Sequence, residues 1–466
     1  MKKIKNIETL LSHGDIESRR IVLDIAERTL SQLDAYAQIH SIAKLDGSVL
    51  HIGNKSWDLS KKRHVYVIGA GKACNAMAKA FDEILGDFLT QGIAIVKIME
   101  DSDINHRTDI FIGGHPLPNE EGLRASEKIL KLVDSSGSDD LFIVLISGGS
   151  SALMSCPVKG ISLTDEIMTT DIMLKSGANI FEINAIRRHI SKLNGGRLAE
   201  RIMNIGAELI GVGISDGIGL PPTSDIRTPY IRYSGTPMGP DATTLDDARR
   251  VIREYGVADR LPKSVIDYLK NAGPECETPK AFPNNTYFLI NTVADSCIVA
   301  KESAEALGYK AIILTSFLEG ESRDAGTFFA SLARQIQSLG GIIQAPCVIL
   351  SCGETTTKIP DNSLIKGHGG PSQELVAGFA LAAAAIPGAC MFSIDSEGSD
   401  GTTMAAGGLT DSKTLAFARA HDIDLRAALR DYSTFEALSS LGDVVYTGNT
   451  GTNLCDINIL YVPEKG

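Results

Sequence analysis

The feature that most constrains this chain is a recurring phrase. A short run rich in Val, Ile and Leu ends in glycine, serine or aspartate, and a helical stretch follows. In the first half these runs are HVYVIG (64–69), GIAIVKI (92–98), DIFIGG (109–114), LFIVLIS (141–147) and ELIGVGIS (208–215). In the second they are TYFLIN (286–291), KAIILT (310–315), CVILS (347–351), CMFSID (390–395), DVVYTG (443–448) and DINILYV (456–462). Many lack polar alternation, as strands covered on both faces do. Between them, NEEGLRASEKILKLV has Asn119 as its N-cap and acids in its first turn, while ACNAMAKAFDEIL and QELVAGFALAAAAI are helical by length and alanine content. Strand–helix alternation along the chain predicts an α/β fold with largely parallel sheets.

At 466 residues the chain exceeds what one hydrophobic core normally spans, so two domains are expected. The stretch 217–285 carries many prolines and little apolar periodicity, and its first part, 217–245, reads as a long Pro/Gly-rich loop. A domain boundary is therefore expected within 217–285. The net charge of −12 argues against nucleic acid or an anionic membrane as main partner, so an anionic ligand must be held by local donors. Eight cysteines without a C-x-x-C pair suggest thiols in a reducing cytosol. The basic start MKKIKNIETLLSHGD lacks the sustained apolar stretch of a signal peptide, and the most apolar run, LVAGFALAAAAIPGACMF, is broken by Pro387. A cytoplasmic protein with no membrane segment is the expectation.

In open α/β sheets ligands bind beyond the carboxyl ends of the strands. Those ends here carry Gly69-Ala70-Gly71-Lys72, Ser147-Gly148-Gly149-Ser150-Ser151, Ser215-Asp216-Gly217, Ser351-Cys352-Gly353-Glu354 and Asp395-Ser396-Glu397-Gly398-Ser399-Asp400. Glycines, hydroxyls, a lysine and carboxylates are the inventory of a phosphate and metal site. GAGKA is neither a P-loop nor a full dinucleotide fingerprint, since Tyr66, Ala73 and Cys74 stand at the wrong places, but Lys72 can reach an incoming phosphate. SGGSSA lets backbone N–H groups approach an anion, and a helix from Ser150, or the one in TDEIMTTDIML, would aim its positive end there. A glycine turn with serine caps is the plainer alternative. Asp216, Asp395 and Asp400 could each be a cap or turn residue; together with Glu354 they make a magnesium site credible, without saying which touch the metal. In NAIRRHISKLNGGRLAE (184–200), Asn184, Arg187 and Ser191 share a helical side suited to a carboxylate, against the alternative of a solvated basic face. Gly369-Gly370 opens a further helix in which Gln373 and Glu374 could face a ligand.

The stretches VIGAGKA, GGHPLPNEEGLRAS, LISGGSSALM, INAIRRHISKLNGGRLA, GISDGIG, CGETT, GGPSQELV, SIDSEGSDGTTMAAGG and TGNTGTNLCDINIL stand in this order, and the chain that carries them resembles the class II glycerate kinases of the MOFRL type over nearly its whole length. The resemblance implies ATP- and Mg2+-dependent phosphorylation of a small 2-hydroxy acid, D-glycerate to 2-phosphoglycerate for most of the family, and two α/β domains: 1–280, a Rossmann-like domain with a parallel sheet, and 281–466, a smaller α/β domain with a MOFRL region at about 345–462. It assigns Lys72, Arg187, His189 and Asp216 to catalysis. Nucleotide binding falls to Gly71, Ser147, Gly148, Gly149, Ser150, Ser151, Glu354, Gly369, Gly370, Gln373 and Glu374, and metal binding to Asp216, Asp395 and Asp400. A carboxylate or His189 would take the acceptor's proton. Partners would be the hydroxy acid and a nucleotide, and a homodimer is an assembly that this reading allows. The chain departs from the family at GHGGPSQE, where His368, Pro371 and Ser372 replace two arginines and an asparagine; Asn194 replaces a lysine, and Glu397 an aspartate. A planar arginine fork is lost there, which brings in a different sugar acid as acceptor. The rival readings are an NAD(P)-dependent hydroxypyruvate reductase and a non-catalytic sugar-acid binding protein.

Overall fold

The computed structural model describes residues 2–99, 105–223, 237–282, 286–359, 365 and 367–465. The chain divides into two compact units, neither continuous in sequence. One comprises Ala35–Ile214 and Asp225–Ile290; the other comprises Met1–Asp34, Ser215–Ser224 and Asn291–Gly466. This differs from a single break near 280. The first 34 residues join the unit that holds the C-terminal half, because the helix Ile16–Gln32 packs its apolar face on that unit's sheet and on the helix Val293–Ala306. Of the long loop expected over 217–245, residues 224–236 lie outside the described residues.

The first unit opens with a small antiparallel sheet, β1 (Ala43–Asp46), β2 (Val49–Ile52) and β3 (Lys55–Asp58), which the apolar-run pattern does not flag. Its main sheet contains β4 (His64–Ala70), β5 (Gln91–Val96), β6 (Thr108–Ile112), β7 (Asp140–Ile146), β8 (Glu208–Ser215) and β9 (Thr286–Thr292) in the order β6-β5-β4-β7-β8-β9. The registered pairs β4–β5, β4–β7, β5–β6 and β7–β8 are parallel. The strands at its centre bury every residue of β7 and nearly every one of β4, the reason these runs show no alternation. A second, helical core built on Ile172, Ile183, Ile186, Leu245 and Val251 lies beside it.

The second unit holds β10 (Lys310–Leu318), β11 (Cys347–Gly353), β12 (Cys390–Asp395), β13 (Gly407–Asp411), β14 (Val444–Val445) and β15 (Asp456–Val462), ordered β10-β11-β15-β12-β13-β14. This sheet is not largely parallel. Only β10–β11 is parallel; β15 threads between β11 and β12 and runs opposite to both. The helices Ser322–Leu339 and Pro371–Ala383 cover one face, and they meet closely where Gly326 and Gly378 carry no side chain. A Cβ on Gly326 would stand 2.0 Å from Leu375 O. All eight cysteines are free, and all but Cys276 are buried. No described helix is long and apolar enough to cross a membrane.

Candidate active site

In the first unit, the neighbouring strands β4 and β7 end level with each other, Ala70 opposite Ile146, so their two turns must share space. They are laced together. Lys72 N donates to Gly148 O (3.0 Å), Ser147 N to Ala70 O (3.3 Å) and Ala73 N to Ser147 Oγ (3.0 Å). Gly71 has φ +150°, and a Cβ there would stand 2.0 Å from Ser147 Oγ, so only glycine fits. Gly149 is left-handed, and its missing Cβ faces the His115 ring at 3.0 Å and Lys72 Cγ at 3.3 Å. Lys72 and His115 therefore flank the glycine turn from two sides. The site assignment from sequence omits His115; its signal was its place just beyond the DIFIGG strand, in GGHPLPN.

The helix after the turn is only four residues, Ser150–Leu153, and its Ala152 and Leu153 N–H groups return to Gly149 O. The longer helix Leu163–Lys175 closes its own N-terminus with a capping box between Ser162 and Asp165. The first helix is short and the second has its first N–H groups capped, so the groups nearest the turn are its own N–H groups, its hydroxyls and the Lys72 side chain.

Arg187 sits in the last turn of the helix Ile180–His189 and is 8% exposed. Its Nη1 makes one long contact, 3.5 Å to Asn184 Oδ1, while Nε and Nη2 have no hydrogen-bond partner among the described residues. Burial pushes its pKa down and Glu166 pulls it back up. Glu166 is itself buried, its pKa raised by desolvation and tempered by a 2.5 Å bond from Ser155 Oγ and by Arg187. Asn184 and Arg187 do share a side. Ser191 does not join them, since it lies past the helix end and its Oγ accepts from the N–H groups of Leu193 and Asn194. His189 is wholly buried, with Nδ1 at 2.7 Å from Ala185 O and Nε2 at 2.7 Å from Glu277 Oε1. Burial disfavours a charged Glu277, but the Leu245 N–H, His189, Lys280 and the Thr278 N–H together hold its pKa well below the usual range. With an acceptor beside each ring nitrogen, His189 anchors the end of Arg187's helix. Arg188, next to both, pairs with Asp241 at 3.0 Å.

In the second unit, the antiparallel insertion of β15 decides what gathers. Its first residue, Asp456, registers with Gly353 at the end of β11 and with Asp395 at the end of β12. Glu354 follows Gly353 directly. Asp216 joins this set: Asn453 Nδ2 donates to its Oδ2 (3.2 Å), and Cys455 Sγ lies 3.2 Å from its carbonyl oxygen. Cys455 itself is at φ +59°, a backbone state that side chains rarely adopt. Asp395 Oδ1 accepts from Glu397 N at 3.1 Å. Asp456 is buried, with Thr355 N and Ser372 Oγ as donors, and burial with Asp400 and Glu354 nearby drives its pKa well above the ordinary value. It was missed because it begins a strand, whereas the search followed strand ends.

Asp400 has a different employment. Its Oδ1 accepts from Ser372 N (3.1 Å) and its Oδ2 from Gln373 N and Nε2 (both 2.9 Å), so it satisfies the N-terminus of the helix Pro371–Ala383. Burial raises its pKa to about 6 despite these donors. Gly370 is glycine because a Cβ would lie 2.2 Å from that carboxylate, and Gly369 because one would lie 2.5 Å from Thr434 Oγ1. Glu374 is fully buried, has no hydrogen bond on either oxygen, and stands 3.6 Å from Arg323 Nη2; burial pushes its pKa up to about 7, against the pull of Arg323. Where the resemblance expects cationic side chains, His368 pairs with Glu436 at 2.8 Å, and Pro371 fills the first helical position, which needs no N–H.

Hard carboxylate oxygens from Asp216, Asp395 and Glu354 suit magnesium, which takes few protein ligands and keeps phosphate and water oxygens. No group of three or more His, Cys, Asp or Glu among the described residues is already arranged to hold a metal ion. The donor chemistry of these carboxylates fits the ion.

Comparison with known proteins identifies the family. Residues 21–270 match a family model described as a domain of unknown function, DUF4147, and residues 347–456 match the MOFRL family. The chain is 35% identical to a glycerate 2-kinase of Pyrococcus horikoshii over 97% of its own length and 98% of that protein. A relative in Agrobacterium vitis, 35% identical over 85% of this chain and 98% of its own, carries a provisional hydroxypyruvate reductase name. The crystal structure of glycerate kinase from Thermotoga maritima superposes with a TM-score of 0.77 at 30% identity, covering 95% of this chain and 99% of that one. The fold and these matches define a phosphotransferase that uses an alcohol group as acceptor. The chain belongs to the glycerate 2-kinase family.

Proposed function

We propose that this protein transfers the terminal phosphoryl group of ATP to the 2-hydroxyl of D-glycerate, giving 2-phosphoglycerate. The observation that carries the reading is Arg187, a buried guanidinium with two nitrogens lacking partners, in the same unit as the laced glycine turns. A planar carboxylate satisfies such a fork in a bidentate manner. Lys72, with Gly71 and the 147–151 turn, binds phosphate oxygens, the role that a lysine and close backbone N–H groups serve. Asp216 and Asp395 would hold magnesium. When bound, that ion neutralises phosphate charge. In the second unit, Glu354 and the segment Gly369–Glu374 would serve the nucleotide, with Asp400 positioning the start of that segment's helix. His189 holds the Arg187 helix through Ala185 and Glu277. Phosphoryl transfer through a loose transition state depends on positioning and charge neutralisation more than on a strong base, so satisfied ring nitrogens on His189 are no obstacle.

The test is ADP release from ATP and Mg2+ with a panel of three- to six-carbon hydroxy acids. Turnover with D-glycerate supports the reading, and turnover confined to a longer sugar acid shifts the acceptor. Silence across the panel, together with nicotinamide oxidation in the presence of hydroxypyruvate, replaces it with the reductase.

A further inference from the structure

Asn194 is 1% exposed, and its amide is held in one orientation. Its Nδ2 donates to Ser151 O at 3.2 Å, and a flipped amide would set oxygen against oxygen. Its Oδ1 is therefore fixed, buried, and without a hydrogen-bond partner among the described residues. A buried acceptor left unmet is costly, and native interiors rarely keep one without a reason.

The surroundings say what would meet it. Ser151 closes the 147–151 turn. Beyond it the chain runs antiparallel to the segment that carries Asn194. Lys192 N donates to Cys156 O (2.8 Å), Val158 N to Ile190 O (2.9 Å), and Pro157 bridges Ser191. Ser155, in the same stretch, bonds Glu166, the carboxylate whose charge acts on Arg187. One laced region thus carries two unmet demands, N–H donors of Arg187 that need acceptors and an oxygen of Asn194 that needs a donor.

We infer that Asn194 determines acceptor specificity by taking a hydrogen bond from a substrate hydroxyl that does not react. An amide oxygen is too weak a base to remove a proton, so the hydroxyl it accepts from keeps its proton. The ligand class is a carboxylic acid with a second hydroxyl beside the one phosphorylated; for D-glycerate phosphorylated at C2, this is the C3 hydroxyl. The inference rests on the kinase reading above and adds a residue and a selectivity to it.

The experiment compares D-glycerate with D-lactate, the same acid with hydrogen in place of the C3 hydroxyl. Two readouts are used on the full chain, kcat/KM from ADP release and the shift in thermal unfolding caused by each acid without nucleotide. The wild type should favour D-glycerate by about 10–100-fold, the effect of leaving one buried neutral acceptor unmet with the analogue that lacks the hydroxyl. Asn194→Leu should lose most of that preference by lowering kcat/KM for D-glycerate, with D-lactate changed less than about threefold. Asn194→Ala, a milder change, should do the same if the leucine variant does not fold. Equal losses for both acids would make Asn194 merely structural and overturn the inference, as would a wild type that treats the acids alike. If neither acid is phosphorylated, D-glycerate falls as the acceptor. Asn194 is then judged on the thermal shifts, where equal shifts for the two acids overturn it.

Discussion

Arg187 and Asp400 are both buried charged groups near the ends of regular elements, one in each unit. Their partners differ in kind. Asp400 receives three protein donors, two of them backbone N–H groups at the start of the helix Pro371–Ala383. Among the described residues, Arg187 has one long contact and two nitrogens without any. A charge whose hydrogen bonds are made inside the fold has part of its burial cost offset by them; a charge whose bonds are not made is available to a ligand and carries that cost in full until one arrives. Burial and charge alone therefore do not mark a functional residue. The accounting of hydrogen bonds separates the two.

The sharpest break of this contrast is Arg187→Met. It should cut kcat/KM by about 100–1,000-fold through loss of charge-assisted bonds to the acceptor, while thermal unfolding of the free protein stays the same or rises. A large fall in unfolding temperature with modest loss of activity would put Arg187 on the structural side. Next in size is Gly71→Ala, whose methyl group would collide with Ser147. It should disturb both laced turns and weaken ATP binding more than acceptor binding, read as KM for each substrate.

Glu374 sharpens the comparison through pH. Its ordinary pKa of 4.5 is raised to about 7 in the folded chain. Below 4.5 it is protonated in both states. Between 4.5 and about 7 the unfolded chain releases the proton while the folded one keeps it, so stability falls as pH rises, and above about 7 the loss is complete. Glu374→Gln should therefore match the wild type near pH 4 and exceed it by about 3 kcal/mol near pH 8 in denaturant unfolding. An unchanged difference across pH would show that Arg323 keeps the carboxylate ionised throughout. The smallest effect is expected from Asp400→Asn, a net change within about 1 kcal/mol near pH 7, because the amide relieves the burial that raises the Asp400 pKa to about 6 but sets an N–H against the donors at the helix start, with the Mg2+ concentration for half-maximal rate unaltered. A strong shift in that concentration would return Asp400 to the metal.

Much of the parallel sheet was legible, because fully covered strands such as β4 and β7 must be continuous apolar runs. The small sheet β1–β3 was passed over although Asp46-Gly47 and Gly53-Asn54 mark its turns; its strands are short and half exposed, so no apolar run announces them. Lys72 and the 147–151 turn were found from local spacing, since a turn between consecutive elements is a local object. His115 and Asp456 were missed for the opposite reason. His115 reaches Gly149 from another strand end, and Asp456 enters the carboxylate set only because β15 runs against its neighbours.

By itself the amino-acid order determined the α/β alternation, the glycine positions and the chemical inventory at the strand ends, since these follow from local sterics and from which side chains bear charge. Tertiary structure decided which of those charges are spent. Whether Asp400, His189 or Arg187 has its hydrogen bonds made depends on groups dozens of residues away, and no local pattern encodes that sum. Strand direction was decided there too, because an antiparallel strand between two others is chosen by packing across the whole sheet.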